Sequence, residues 1–136
     1  KNCYYKSRME WQLAPDIKSG LDRLLKADIF PHIQPLQITA MRGTGSKGRA
    51  IARIWSFPKP WQIALEIGPR YIIEVIAEHF DKLSASDKDR TLIHELMHIP
   101  KNFSGALLSH RHHSQNINRR SVDDLYKKFY DNCSSR

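Results

Sequence analysis

Residues 94–98 read His-Glu-Leu-Met-His, and this short segment constrains the fold more than any other feature of the chain. Two histidines four residues apart lie on one face of an α-helix, and a residue next to the first points roughly 100° away. On a helix, His94 and His98 can therefore bind one zinc ion, while Glu95 accepts a proton from a water bound to that ion. The segment predicts a helix built for zinc-dependent hydrolysis.

The flanking residues favour a helix around this segment. Ser86 followed three residues later by Asp89 approximates a capping box, which is typical of a helix N-terminus. Pro100 disfavours a helical conformation at the residue before it. We therefore predict a helix from about Asp87 to His98, followed by a loop over 102–109.

A catalytic zinc ion needs a third protein ligand beside the two histidines. The candidates that follow the loop are His110, His112 and His113, and the spacing alone leaves all three open. A carboxylate, Asp123 or Asp124, is a weaker candidate. Cations or hydroxyls that would stabilise the oxyanion of the reaction are Arg111, Arg119, Arg120 and Tyr126. His32 and His79 are isolated, so we interpret both as ordinary structural histidines.

The remaining patterns predict an α+β domain, in which a small, mostly antiparallel sheet packs on the His-Glu helix and on helices near both ends. Pro15 opens an amphipathic helix, because apolar residues recur after it at helical spacing. Strands are expected at 36–41, 50–55, 62–67 and 71–76, the first two joined as a hairpin by a loop at 43–48, and a last helix at 120–130. An extended substrate would pair with a sheet edge near Tyr71–Ile76.

The length of 136 residues suits one domain. We assign residues 1–14 to an extension, 15–131 to the domain and 132–136 to a tail. No apolar run reaches the ~18 residues of a membrane helix, and no signal-peptide pattern is visible, so we expect a cytoplasmic location without membrane contact. Cys3 and Cys133 lack metal-binding spacing, and whether they form a disulfide stays open.

The positive charge is concentrated in the first part of the chain. The net charge is +8, and residues 1–60 hold eleven Lys and Arg against four acidic residues, which is +7. Such a field favours anionic partners, and it suggests DNA contact through Arg42, Lys47, Arg49 and Arg53. The alternative is that these basic residues only promote solubility.

Two other functional classes are compatible with the same residues. In the first, the protein is a nucleic-acid-binding module whose zinc is structural, which predicts four protein ligands on the metal. In the second, it is a metal-dependent hydrolase of a small-molecule bond. A long groove would indicate a peptide substrate, and a closed pocket would indicate a metabolite.

Several segments resemble a family of metallopeptidases from archaea, bacteria and phages, which looks like a minimal member of the zincin superfamily and is similar in outline to SprT-like domains. The similar segments are 49–55 (Arg-Ala-Ile-Ala-Arg-Ile-Trp), 61–65 (Trp-Gln-Ile-Ala-Leu), 91–100 (around the His-Glu-Leu-Met-His segment), 103–105 (Phe-Ser-Gly) and 110–111 (His-Arg). The resemblance extends over about residues 15–130.

This resemblance implies a minimal zincin-like fold and a zinc peptidase that cleaves proteins or peptides. It implies that His94 and His98 bind the metal, that Glu95 is the catalytic glutamate, and that His110 is the third ligand. SprT-like domains have glycine after the third histidine, where this chain has Arg111, so His113 is the second choice. Similar SprT-like proteases act on proteins at DNA, which implies a substrate associated with nucleic acid.

Overall fold

The computed structural model describes residues 8–112 and 115–134. Its main sheet has four strands in the order β1-β2-β4-β3. The outer pairs β1–β2 and β3–β4 are antiparallel, and the central pair β2–β4 is parallel. The strands are β1 (Glu10–Leu13), β2 (Ile38–Thr44), β3 (Ala52–Trp55) and β4 (Tyr71–Ile76), with a separate hairpin of β5 (Arg111–His112) and β6 (Gln115–Asn116).

The described residues form five α-helices, several of which pack on one face of this sheet. They are α1 (Pro15–Lys26), α2 (Lys59–Leu65), α3 (Ala77–Phe80), α4 (Ala85–Leu96) and α5 (Arg119–Ser134). Helix α1 contacts β2, α4 contacts β3, and α5 packs on α4. The side chains that meet between sheet and helices include Leu21, Leu24, Ile73, Val75, Ile93 and Leu96. The helices and the sheet confirm the α+β prediction. Burial of each such side chain stabilises the fold by about 1.5–3 kcal/mol, and Ile93 and Leu96 belong to α4, so the core holds this helix in place.

Strand β4 lies in the middle of the sheet, which corrects two predictions. The hairpin of β2 and β3 is wrong, because β4 pairs with both of them and separates them. The substrate edge at Tyr71–Ile76 is wrong for the same reason, since both edges of β4 are already paired. Residues 71–76 are nearly all apolar, which is typical of a strand buried on both faces and therefore indicates a central position in the sheet.

Residues 62–67 were predicted to be a strand and instead belong mostly to helix α2. Trp61, Ile63 and Leu65 alternate with less apolar residues, which mimics a half-buried strand. These three side chains are exposed, whereas Gln62 is buried. Pro60 lies in the first turn of α2, where a missing N–H costs nothing, so the proline favoured the helix.

The ends of the other elements differ modestly from prediction. Residues before Pro15 include strand β1, which pairs with β2 and so belongs to the sheet. Helix α4 begins after Ser84, whose Oγ accepts the N–H of Asp87 at 3.2 Å, so the cap is Ser84 and not Ser86. The domain boundaries at 15 and 131 stay predictions.

The described residues bear on the expectations about membrane-spanning helices and about a disulfide. Within residues 8–112 and 115–134, no helix has the length and apolar composition needed to cross a membrane. Cys133 is exposed on α5. Its suggested partner Cys3 lies outside the described residues, so the disulfide stays untested.

Candidate metal centre

Helix α4 carries the first part of the His-Glu-Leu-Met-His segment in its last turn. His94 and Glu95 are helical, and the helix ends at Leu96. The N–H of Met97 still bonds to the carbonyl of Ile93, whereas that of His98 bonds to Glu95, three residues back. The chain therefore tightens at the end of α4, and His98 lies just beyond the helix predicted to contain it.

Three histidines come together at this end of α4. In the described part of the chain, His94, His98 and His110 form a group that could hold a metal ion, with one ligand nitrogen from each within 4.8 Å of the others. The Nε2 atoms of His94 and His110 are 3.1 Å apart. The rings of His98 and His110 are 4.6 Å apart between centroids. Converging ring nitrogens of this kind are the donor set that zinc and other transition metals accept.

The loop after α4 brings His110 to the other two histidines. Nδ1 of His98 donates to the carbonyl of Leu108 at 2.6 Å, and the N–H of Leu108 donates to the carbonyl of His98 at 2.8 Å. The first of these bonds fixes the tautomer of His98 so that Nε2 is unprotonated and can bind a metal. An imidazole oriented by a backbone carbonyl is the usual arrangement for a metal-binding histidine.

Tyr71 ties the middle of this loop to the central strand. The hydroxyl of this buried residue accepts the N–H of Gly105 at 2.8 Å and donates to the carbonyl of Ala106 at 2.7 Å. The ring of Phe103 packs edge-on against the Tyr71 ring. The loop conformation is therefore set by the sheet.

Gly105 is required by the same loop. Its φ is +95°, and an added Cβ would lie 2.3 Å from the carbonyl oxygen of Phe57. Next to it, the buried Gln62 amide donates to the carbonyls of Phe57 and Ser104, both at 2.8 Å. Sequence reasoning missed the roles of Tyr71 and Gln62. The alternation around Gln62 indicated a strand, although a buried glutamine amide is suited to pairing with loop carbonyls.

The electrostatics of the site favour neutral imidazoles. Burial, together with the neighbouring rings of His98 and His110, lowers the pKa of His94 to about 4. Burial also lowers the pKa of His98, although its bond to the carbonyl of Leu108 opposes that shift. Neutral imidazole is the form that binds metals, so these rings are in the correct protonation state at neutral pH.

Glu95 is buried beside the three histidines, with only 8% of its surface exposed. Burial raises the pKa of Glu95 to about 7. A carboxyl group with a pKa near the working pH can both accept and donate a proton during a reaction. Glu95 is therefore a candidate for general acid–base chemistry.

A cleft of about 580 Å³ opens beside His94 and Glu95. It runs between β3, α4 and the start of α5. Its lining residues include Arg49, Ile51, Ala52, Arg90, Arg119 and Asp123. Asp123 accepts a hydrogen bond from Arg90 at 2.9 Å, and it is not part of the three-histidine group.

Of the oxyanion candidates, Arg119 lines this cleft. Tyr126 packs under the guanidinium of Arg90, 4.4 Å from its ring centroid. Arg111 is exposed on β5, and Arg120 is exposed on α5. His112 lies on β5, and His113 falls outside the described residues, so its ranking as second choice stays untested.

The four residues suggested for DNA contact do not form one surface. Arg42 forms ion pairs with Asp16 and Asp81, and these two carboxylates neutralise its charge. Arg49 lines the cleft beside His94 and Glu95. Lys47 is exposed in the loop before β3, and Arg53 lies 3.4 Å from Glu74 on the opposite face of the sheet.

A protein-family model described as "Putative phage metallopeptidase" matches residues 9–132. The chain belongs to this family. The match confirms the resemblance seen in the sequence segments, and it includes α4, the following loop and all three histidines. No curated protein and no solved structure matches the chain. The family description suggests a metallopeptidase, and the three-histidine group could hold a metal ion; neither identifies the metal or the substrate.

Proposed function

We propose that this protein is a zinc peptidase in which His94, His98 and His110 bind one zinc ion and Glu95 is the general base. The observation that carries the proposal is the convergence of three histidine ligand atoms within 4.8 Å beside a buried glutamate. The family description supports the peptidase class.

The donor set suits a catalytic zinc ion. Three protein ligands are typical of catalytic zinc sites, whereas structural sites have four. The described residues offer three, which favours the catalytic alternative over a nucleic-acid-binding module with a structural zinc. Zinc bound at these nitrogens would supply a Lewis acid that polarises a carbonyl group and lowers the pKa of water.

Glu95 and Arg119 would carry out the rest of the chemistry. Glu95 would accept a proton from the attacking water and pass it to the leaving amine, as its raised pKa permits. Arg119 lines the same cleft, and its guanidinium would donate to the developing oxyanion.

Strand β3 is the edge that would align a peptide. The N–H of Ile76 donates to the carbonyl of Ile51, so the backbone of Ile51 faces β4. Because these directions alternate along an antiparallel strand, the N–H and C=O groups of Ala52 and Ile54 face away from β4, toward the open edge. Ile51 and Ala52 also line the cleft beside Glu95. An extended substrate adding to this edge would therefore pass the metal centre, and this edge replaces the one predicted at β4.

Zinc affinity of histidine variants tests the ligand set. His110→Ala should weaken zinc binding by more than about 100-fold, because it removes one of three ligands. The neighbouring variants His112→Ala and His113→Ala serve as matched controls and should retain the parent affinity. Loss of zinc in His113→Ala with retention in His110→Ala would assign the third ligand to residue 113. Loss in both would indicate a fourth protein ligand and a structural site.

A further inference from the structure

A buried carboxylate lies on the sheet face opposite the helices. Tyr71, Ile73 and Val75 of β4 point into the helix-covered core, so the alternate residue Glu74 points to the other face. Its side chain is nevertheless 0% exposed. A carboxylate without water needs charged or polar partners, so the residues around Glu74 explain its presence.

Two tryptophans and one arginine surround this carboxylate. The indole N–H of Trp11 donates to one oxygen of Glu74 and that of Trp55 to the other, both at 2.9 Å. Nε of Arg53 lies 3.4 Å from the same carboxylate. Gly43 leaves the space for the group, since an added Cβ would lie 2.3 Å from a Glu74 oxygen. We call Trp11, Trp55, Arg53 and Glu74 the indole surface.

The tryptophans are held in place while much of each ring faces solvent. Trp11 is 50% exposed and Trp55 is 45% exposed, although each is bonded through its N–H. Because both nitrogens bond to one carboxylate, they lie no more than about 8 Å apart. Rings that are ordered before binding lose little conformational entropy when a ligand packs against them.

The charge around this surface is compatible with an anionic ligand. Of the residues on this face of the four described strands, the acidic one is Glu74, and it is buried and paired with Arg53. Residues 29–65, which include β2, β3 and their connection, contain no acidic residue. Lys47 lies in the connection between β2 and β3, Lys59 begins α2, and Arg70 directly precedes β4; all three are exposed.

We propose that the indole surface binds single-stranded nucleic acid, with bases stacked on Trp11 and Trp55 and phosphates near the basic residues. A ligand with flat rings and regular negative charge satisfies both features of the surface at once. A four-stranded sheet with helices on one face and aromatic side chains on the other is an arrangement that several RNA-binding domains use to stack two or three bases. Single strands are favoured over a duplex because only unpaired bases offer their flat faces to a side chain.

This site is separate from the metal centre. The three histidines and the cleft lie on the helix-covered side of β3, whereas Trp55 and Arg53 belong to the opposite face. The surface keeps Arg53 and the nearby Lys47 of the basic set suggested by sequence. It leaves out Arg42, which is paired with Asp16 and Asp81, and Arg49, which lines the cleft. Nucleic-acid binding and peptide hydrolysis can therefore be measured independently.

Binding of a fluorescein-labelled oligothymidylate, followed by anisotropy, tests the proposal in the full-length protein. Trp11→Ala and Trp55→Ala should each weaken binding about tenfold, which corresponds to the loss of one stacked base. Trp61→Ala is the matched control, because Trp61 is exposed to a similar degree but belongs to helix α2 and not to the indole surface. It should bind within about twofold of the parent. Equal affinity in all variants, or no binding by the parent, would overturn the proposal.

A second measurement avoids any variant that fails to fold. Ultraviolet cross-linking of the parent protein to a 5-iodouracil oligonucleotide, followed by mass spectrometry, should modify peptides that contain Trp11 or Trp55. Cross-links confined to Trp61 or to the cleft would overturn the proposal. A third outcome would also overturn it: the parent does not bind the oligonucleotide, and light scattering shows a dimer that dissociates in Trp11→Ala/Trp55→Ala. The surface would then bind a second copy of the chain.

Discussion

Nδ1 of His98 donates a hydrogen bond to the carbonyl oxygen of Leu108 at 2.6 Å, across the loop that separates the end of α4 from His110. The relationship is reciprocal, because the N–H of Leu108 donates to the carbonyl of His98. Leu108 thus orients the imidazole of one candidate metal ligand, and it lies in the segment that leads to His110, the third candidate. Geometry at the metal centre therefore depends on the loop as much as on the helix.

Gly105→Ala should disturb the metal centre from a distance. The substitution adds a Cβ 2.3 Å from the carbonyl of Phe57 at a φ of +95°, so the loop must move. We expect a loss of about 2 kcal/mol or more in the free energy of unfolding and a weaker zinc affinity. Gly68→Ala is the control, since nothing lies within 4 Å of its added Cβ. Urea unfolding and zinc titration check both effects, and parent-like zinc binding in Gly105→Ala would show that the loop does not position His110.

The ion pair of Arg42 and Asp16 should make stability depend on pH. The hydrogen bond from Arg42 lowers the pKa of Asp16 below its usual value. A carboxyl whose pKa is depressed by folding stabilises the protein above the unfolded-state pKa, near 3.9, and this contribution is lost as pH falls through the folded-state pKa. Asp16→Asn should therefore reduce stability at pH 6 and make little difference near pH 2.

Urea unfolding of the parent, Asp16→Asn, Arg42→Met and the double variant at both pH values measures this coupling. The coupling energy should be present at pH 6 and absent at low pH. A coupling that stays constant between the two would contradict the assignment of this pH dependence to Asp16.

Arg119→Ala should reduce turnover without removing the metal. Arg119 lines the cleft beside Glu95, and loss of one oxyanion donor typically lowers kcat about 100-fold. Arg120, its exposed neighbour on α5, supplies the control variant Arg120→Ala, which should keep the parent kcat. Steady-state kinetics with zinc content measured on the same samples makes the comparison. Similar kcat values for both variants would remove Arg119 from the reaction.

Much of the candidate site could be predicted from the sequence, because its chemistry is local. The spacing of His94 and His98 determines their common side on a helix, and Glu95 follows from the same geometry. His110 was one of three candidates until the resemblance favoured it, since nothing in a single sequence says how a loop turns back. The structure brings His110 to the pair through the Tyr71 hydroxyl and the Leu108 backbone, which are contacts between distant residues.

The sheet order was harder to predict for a similar reason. The sequence predicts strands at 50–55 and 71–76, and both are present as β3 and β4, but the pattern does not say which strands pair. The apolar character of β4 on both faces indicates a central strand, whereas the predicted hairpin of β2 and β3 would leave it at an edge. Glu74 could not be anticipated, because a glutamate inside such a run is buried only through Trp11, Trp55 and Arg53 from other strands.

The proposal of a zinc peptidase is tested by measuring zinc content and hydrolysis of fluorescein-labelled casein on the same preparations of the parent and of Glu95→Gln. We expect one zinc ion per chain in both proteins, hydrolysis by the parent, and a rate at least about 1,000-fold lower in Glu95→Gln, because the general base is lost while the three histidines remain. Hydrolysis at the parent rate in Glu95→Gln, or a parent protein that binds no zinc, would contradict it.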